Sequence, residues 1–162
     1  MSHNLEKYDK AIADYTSSLE VDPKDAIVYC NRGNAYRNTG QYDKAISDCT
    51  KAIEFNPNYT RAYNVRGLVY HEGLNKYDKA IDDYKAALKI DKDYRYAYVN
   101  LGRVYVLTKD YKQALQNFGI AISIAPKYGY AYWNRAKCYE EMGETAKAQA
   151  DFDKCKELGY KG

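Results

Sequence analysis

Residues 26–59 read AIVYCNRGNAYRNTGQYDKAISDCTKAIEFNPNY. Apolar and small residues recur at helical spacing in two segments of about 12 to 14 residues, separated by Asn38, Thr39 and Gly40. A glycine that tolerates left-handed backbone ends the first segment. The second stops at Asn56 and Pro57, because a proline disfavours the helical conformation of the residue before it. The stretch therefore predicts one helical hairpin.

Working outward, the same residue types return at nearly constant spacing. Ala11, Ala45, Ala80, Ala114 and Ala148 recur in equal steps, except that the step from Ala45 to Ala80 is longer by a single position. Three residues before four of them stand Tyr8, Tyr42, Tyr77 and Tyr111, with Thr145 at the fifth place. Pro23, Pro57 and Pro126 recur in phase, with Lys92 once in their stead. The period divides the chain into 26–59, 60–94 with one extra residue between Tyr70 and Tyr77, 95–128 and 129–162. Residues 1–25 hold only the second helix of a hairpin (Tyr8, Ala11, Tyr15, Pro23), a half repeat.

Composition agrees. Only three prolines occur, Thr, Val and Ile are sparse, and Ala, Lys, Asp and Tyr are abundant, which predicts an all-α fold. Lys and Arg number 25 against 22 Asp and Glu, and the +3 balance is spread in mixed-sign clusters, implying neither a nucleic acid nor an acidic membrane surface. No stretch approaches the roughly 18 apolar residues of a membrane span, and the first 20 lack the apolar middle of a secretory signal, so a cytoplasmic protein is expected. Cys30, Cys49, Cys138 and Cys155 form no C-x-x-C pair and only His3 and His71 stand beside them. No metal or other cofactor is expected, and the thiols read as small, reduced packing residues.

These columns resemble the tetratricopeptide repeat, a helical hairpin of about 34 residues. Residues 26–59 carry its pattern at Tyr29, Gly33, Tyr36, Gly40, Tyr42, Ala45, Cys49, Ala52 and Pro57. Tyr63, Gly67, Tyr70, Tyr77, Ala80, Tyr84 and Ala87 follow, then Tyr98, Leu101, Gly102, Tyr105, Tyr111, Ala114, Phe118, Ala121 and Pro126. The last unit keeps Tyr132, Ala136, Tyr139, Gly143, Ala148 and Phe152. The resemblance implies a right-handed superhelical solenoid of antiparallel helix hairpins, about four full repeats plus an N-terminal half repeat, in one domain over 1–162. Gly33, Gly67, Gly102 and Ala136 are then the small residues at which the two helices of each hairpin cross. Most tyrosines are expected in the core, at about 1.5 to 3 kcal/mol each by area.

In that family the first helices line a concave groove, so the resemblance implies a scaffold or adaptor that binds an extended peptide or a partner helix. It points to Asn31, Asn100 and Asn134 in one row, with Asn64 one residue out of phase. Side-chain amides in a row offer donors and acceptors to a peptide backbone whatever its sequence. Neighbouring inward positions hold Asn34, Leu68, Arg103 and Lys137, and Ile27, Arg61, Tyr96 and Tyr130, with Trp133 the one tryptophan. Arg61, Arg103 and Lys137 suit acidic groups; Trp133 with Tyr130 suits an aromatic anchor. A two-cation clamp for chaperone C-terminal tails is disfavoured: its places hold Cys30, Asn34, Val65, Tyr96 and Asn100, one match in five. Nucleic acid is disfavoured too, since Arg103 and Lys137 mix with Glu72, Glu140 and Glu141.

Two alternatives stand beside the adaptor. Leu5, Ile12 and Leu19 lack the partner helix that would cover them, which predicts self-association, a homodimer included, or upstream sequence that has been cut away. The chain would then be a self-assembling structural module, or the recognition arm of a larger multidomain enzyme. At the other end Lys156 replaces the apolar residue of earlier units and Gly159 follows, a polar capped end. Catalysis by the chain itself is not expected. Asp82, Asp83, Asp151 and Asp153 read as solvated helix faces, and Cys30, though near Arg32, has no histidine partner in evidence.

Overall fold

The computed structural model describes residues 3–162, with side chains from Leu5 onward; Met1, Ser2 and the side chains of His3 and Asn4 lie outside it. All regular structure among the described residues is helical. Two compact units result, one ending at Lys92 and the other starting at Asp93.

The first unit comprises α1 (His3–Val21), α2 (Ala26–Asn38), α3 (Tyr42–Phe55), α4 (Thr60–Leu68) and α5 (Tyr77–Ile90). Helices α2 and α3, and α4 and α5, pack as hairpins, with α1 against α2 and α3 against α4. The second unit holds α6 (Arg95–Leu107), α7 (Tyr111–Ile124), α8 (Gly129–Glu141) and α9 (Thr145–Glu157). Its hairpins are α6 with α7 and α8 with α9, and α7 packs on α8.

Local chemistry sets the boundaries. Asp25 caps α2 by accepting from the Ile27 and Val28 amides at 2.8 and 3.0 Å, and Asp110 caps α7 by accepting from the Gln113 amide at 3.1 Å. Each first helix ends on a left-handed residue: Gly40 (φ 74°), Asn75 (φ 53°), Lys109 (φ 60°) and Gly143 (φ 75°). The next amide reaches back into the helix, Gln41 to Tyr36 at 2.8 Å and Asp110 to Tyr105 at 2.8 Å. The extra residue of unit 60–94 is absorbed as a π-helical turn, Val69–Gly73, that continues α4. It buries His71, whose Nδ1 lies 3.4 Å from the Tyr84 hydroxyl.

Packing follows the repeat. In the first unit Leu19, Tyr29, Cys30, Cys49, Ala52, Ala62 and Val65 form a buried cluster; in the second, Val99, Ala114, Phe118, Ala121, Ala131 and Cys138 do so. The first helix rides so close on the second that a Cβ placed on Gly102 would meet the Phe118 ring at 2.5 Å. The tyrosines are less deeply placed than expected. Among the described residues only Tyr29 and Tyr84 are buried, while the rest lie half-covered along helix seams and Tyr96 is exposed. A phenol keeps its ring in the seam and its hydroxyl in water, which a phenylalanine such as Phe118 has no reason to do. No helix among the described residues is long and apolar enough to cross a membrane.

Candidate functional site

The starts of α6 and α8 build an aromatic surface in the second unit. Tyr94 and Tyr96 stand one repeat before Tyr128 and Tyr130, so the same two-tyrosine turn opens both helices. Ring centroids run from Tyr94 to Tyr96 (5.3 Å), to Tyr128 (5.7 Å) and to Tyr130 (6.0 Å). Trp133, one turn beyond Tyr130, lies parallel to it at 6.4 Å with an interplanar angle of 8°. Tyr160 crosses from beyond α9 to both, at 5.8 and 6.5 Å, over Gly129, where a Cβ would sit 2.6 Å from its own.

Arg95 supplies the charge. Its guanidinium lies 4.5 Å from the Tyr96 ring centre and 5.3 Å from that of Tyr128, and Nη2 donates to the Tyr96 hydroxyl at 2.7 Å. Burial, then the neighbouring Tyr96, pushes the Tyr128 phenol up to about 12, so it remains a neutral donor at physiological pH. A hollow of about 490 Å³ lined by Arg95, Ala125, Pro126, Lys127 and Tyr128 opens beside these rings. Stacked rings edged by a cation suit an apolar or proline-containing segment with an acidic neighbour.

The residues singled out from the sequence divide between the units. In the first, Arg61 is exposed and donates to Asn31 at 2.6 Å, Asn34 accepts from Arg37 at 3.2 Å, and Asn64 is buried. In the second, Tyr96, Tyr130 and Trp133 come together as described. Arg103 donates to Asn100 at 3.4 Å, and Lys137 pairs with Glu140 at 2.7 Å. Asn64, Asn100 and Asn134 are each 6% exposed, and the Asn134 amide donates to the Tyr130 carbonyl of its own helix at 2.7 Å. Of the residues read as a self-association face, Leu5 is exposed and Ile12 half-covered, but Leu19 belongs to the first unit's core.

Sequence reading missed a set of buried ion pairs. Arg32 grips Asp48 at 2.7 and 2.9 Å, Arg66 grips Asp83 at 2.9 and 2.8 Å, and Arg135 grips Asp151 at 2.7 and 2.7 Å. Arg32 and Arg66 also donate to Thr16 and Thr50 of the preceding second helix, at 3.1 and 3.0 Å. Asp83 and Asp151 are therefore not solvated faces: each is 6% exposed, closed over by an arginine from the facing helix. Burial pushes the Asp83 carboxyl up against the lowering effect of Arg66, while the hydrogen bond to Asp83 raises the Arg66 guanidinium. The available signal was positional, an arginine just before each small crossing residue and an aspartate three residues after each column alanine. The hairpin 95–128 lacks both, with Leu101 and Asn117 in those places.

Cys30 is fully buried, and burial pushes its thiol up to about 11, away from the thiolate form. No group of three or more metal-binding side chains comes together among the described residues.

Family models of the tetratricopeptide repeat match residues 26–59, and 96–128 with 129–158; a further model described as TPR repeat matches 3–40 and 74–108. No curated protein matches the chain. Among solved structures, a crystal structure of MamA is 26% identical, with 98% of this chain and 95% of MamA covered and a TM-score of 0.77. A tetratricopeptide repeat protein from Parabacteroides merdae ATCC 43184 is 27% identical, with 97% of this chain and 60% of that one covered and a TM-score of 0.81. YrrB, described as a TPR protein with an unusual peptide-binding site, is 22% identical over 94% of this chain and 78% of its own, TM-score 0.69, a likeness of fold alone.

Proposed function

Because this chain belongs to the tetratricopeptide repeat family, we propose that it is a non-catalytic adaptor that holds a segment of another polypeptide on the first helices of its hairpins. The observation that carries this reading is the aromatic surface of the second unit, Tyr96, Tyr130 and Trp133 edged by Arg95. Large rings that leave one face to solvent while their neighbours hold the other fixed bind a partner with little loss of rotamer freedom. Arg103 and Lys137 on the same helices supply positive charge for an acidic residue of the ligand. In the first unit Asn31, Asn34 and Arg61 form a polar counterpart, while Asn64, Asn100 and Asn134 act from beneath, holding their helices and neighbouring side chains in place.

Trp133 is the one tryptophan of the chain, so occupancy of this surface reports directly in its fluorescence. Peptides selected from a random display library against the intact chain are expected to quench or shift that emission. They should lose at least about tenfold in affinity on Tyr96→Ala, and again when Trp133→Phe is tested by anisotropy, in keeping with loss of an aromatic anchor. Selected peptides that bind the Tyr96→Ala/Trp133→Ala variant as tightly as the parent would overturn the placement.

A further inference from the structure

The hollow of about 490 Å³ beside the aromatic surface has a wall that donates hydrogen bonds and has few acceptors to spare. Along its turn the Ala125 carbonyl already accepts from the Tyr128 amide at 2.9 Å, that of Pro126 from the Tyr132 hydroxyl at 3.1 Å and that of Lys127 from the Gly129 amide at 3.1 Å. The polar side chains of the lining are the Arg95 guanidinium and the Lys127 ammonium, which only donate, and the Tyr128 phenol, whose proton burial holds in place. Ala125 and Pro126 make the rest of it apolar.

These cations are not spent on the chain itself. Arg135, Lys137 and Lys147 of the same unit pair with Asp151, Glu140 and Glu144. Arg95 instead meets two rings and the Tyr96 hydroxyl, and neither it nor Lys127 pairs with a carboxylate among the described residues. The rings and the hydroxyl fix the guanidinium in one orientation while its other N–H groups stay available to a ligand. The chain's +3 balance arises in this unit, because residues 1–92 hold as many Lys and Arg as Asp and Glu. The seat is also particular to one step of the repeat. Ala26 and Asn58, Thr60 and Asp93, and Gly129 and Lys161 hold the corresponding places elsewhere, so two cations share a step only at Arg95 and Lys127.

We propose that this hollow reads a proline standing next to a glutamate or aspartate within an extended segment of the partner polypeptide. The carboxylate brings the acceptors that Arg95 and Lys127 need, and the proline ring packs on Tyr128 and Pro126. Proline suits a donating wall because it has no backbone N–H to be buried without an acceptor. The inference rests on the adaptor reading above and adds the residue types of the ligand: Arg95 and Lys127 select the segment, and Tyr96, Tyr130 and Trp133 hold it.

The test uses a fluorescently labelled peptide of three Pro-Glu repeats with both ends blocked, titrated into the intact chain and followed by anisotropy. Saturable binding is expected, at least about tenfold weaker when glutamines replace the glutamates and when alanines replace the prolines. Arg95→Gln in the chain should weaken the glutamate peptide by as much, and should cost the glutamine peptide little more, since both changes remove the same contact. Lys127 is exposed, so Lys127→Gln keeps the parent's thermal melt and gives a second reading of the charge if Arg95→Gln disturbs the rings. Absence of saturable binding, equal affinity for the glutamate and glutamine peptides, or equal affinity for the alanine peptide would each overturn the proposal. So would a tenfold gain from unblocking the C-terminus, since a terminal carboxylate would then be the group recognised. Peptides from the display library separate this failure from that of the adaptor reading. Ligands that weaken on Tyr96→Ala but bind the Arg95→Gln/Lys127→Gln chain as tightly as the parent would leave the aromatic surface in place and remove the proline–acid assignment.

Discussion

Lys109 sits at the end of α6 with a φ of 60°, the place that Gly40 and Gly143 hold after α2 and α8. A Cβ crowds the following carbonyl in that region, at about 1 kcal/mol relative to glycine. The conformation persists because the hairpin turn needs it: the Lys109 amide bonds the Val106 carbonyl at 2.9 Å and Asp110 bonds Tyr105. Lys109→Gly is therefore expected to stabilise the chain by about 1 kcal/mol and raise Tm by about 2 to 4 °C, read by a thermal melt. A melt that falls would mean that the lysine side chain makes a compensating contact. The cysteines allow a second prediction at this scale. Burial raises the Cys30 and Cys138 thiols to about 11, so iodoacetamide at pH 8 should label the native chain slowly and the unfolded chain fast. A thiol whose folded value lies above its unfolded one favours the native state below the ordinary range of about 8.5 and loses that contribution as pH climbs towards 11. Tm should accordingly fall across that window, and less steeply in Cys30→Ala.

At the scale of the helix pair, the places of the Arg–Asp grips are held in the hairpin 95–128 by the uncharged Leu101 and Asn117, whose amide donates to the Gln113 carbonyl at 2.8 Å. Removing one partner strands the other. Arg135→Leu leaves the Asp151 carboxylate buried at 6% exposure without its counter-charge, at about 3 kcal/mol. Arg135→Leu with Asp151→Asn copies the hairpin 95–128 and is expected to recover most of that loss in denaturant unfolding. A double variant less stable than the single would show that the ion pair is not replaceable by packing. The close crossing gives a harsher outcome: Gly102→Ala drives a methyl into the Phe118 ring and should destabilise by about 1 to 3 kcal/mol.

These elements also mark the limit of what the sequence discloses. The hairpins, their ends and the small crossing residues could be read because each depends on residues a few positions apart and is restated in every unit. The one longer step announced an insertion, but not that it would become a π turn burying His71, because both an α-helix with a longer loop and a π turn satisfy the spacing. Asp83 and Asp151 were misread because an aspartate's burial is decided by an arginine on another helix, well outside its own stretch of sequence. The aromatic site was half legible. Trp133 and Tyr130 fall one turn apart on a recognisable helix, whereas Arg95 opens α6 where neighbouring units have Thr60 and Gly129, and Tyr160 stands where Pro126 stands one unit before, so no recurring residue type points to either.

Over the whole chain, repetition makes stability a sum of hairpins and their nearest neighbours rather than the property of one central core. Local opening then follows how much each helix buries. Within the first unit, Leu19 is the one buried side chain of α1 among the described residues, while α2 buries Tyr29, Cys30, Gly33 and Ala35 and α3 buries Ala45, Asp48, Cys49 and Ala52. Within the second, α6 buries six residues, Val99, Leu101 and Val104 among them, against Ala148, Asp151 and Cys155 for α9. Native-state hydrogen exchange should therefore release the amides of α1 before those of α2 and α3, and those of α9 before those of α6. The amphipathic repeat pattern alone would make α1 the equal of α3, since their Tyr, Ala and Asp columns coincide. What separates them is a facing helix: α3 has α2 across its crossing residues, and α1 leaves Ala11, Asp14 and Tyr15 uncovered. Protection of α1 equal to that of α3 in the purified chain would mean that α1 draws stability from something other than side-chain burial, and would sink the link between exposure and opening on which this ordering rests.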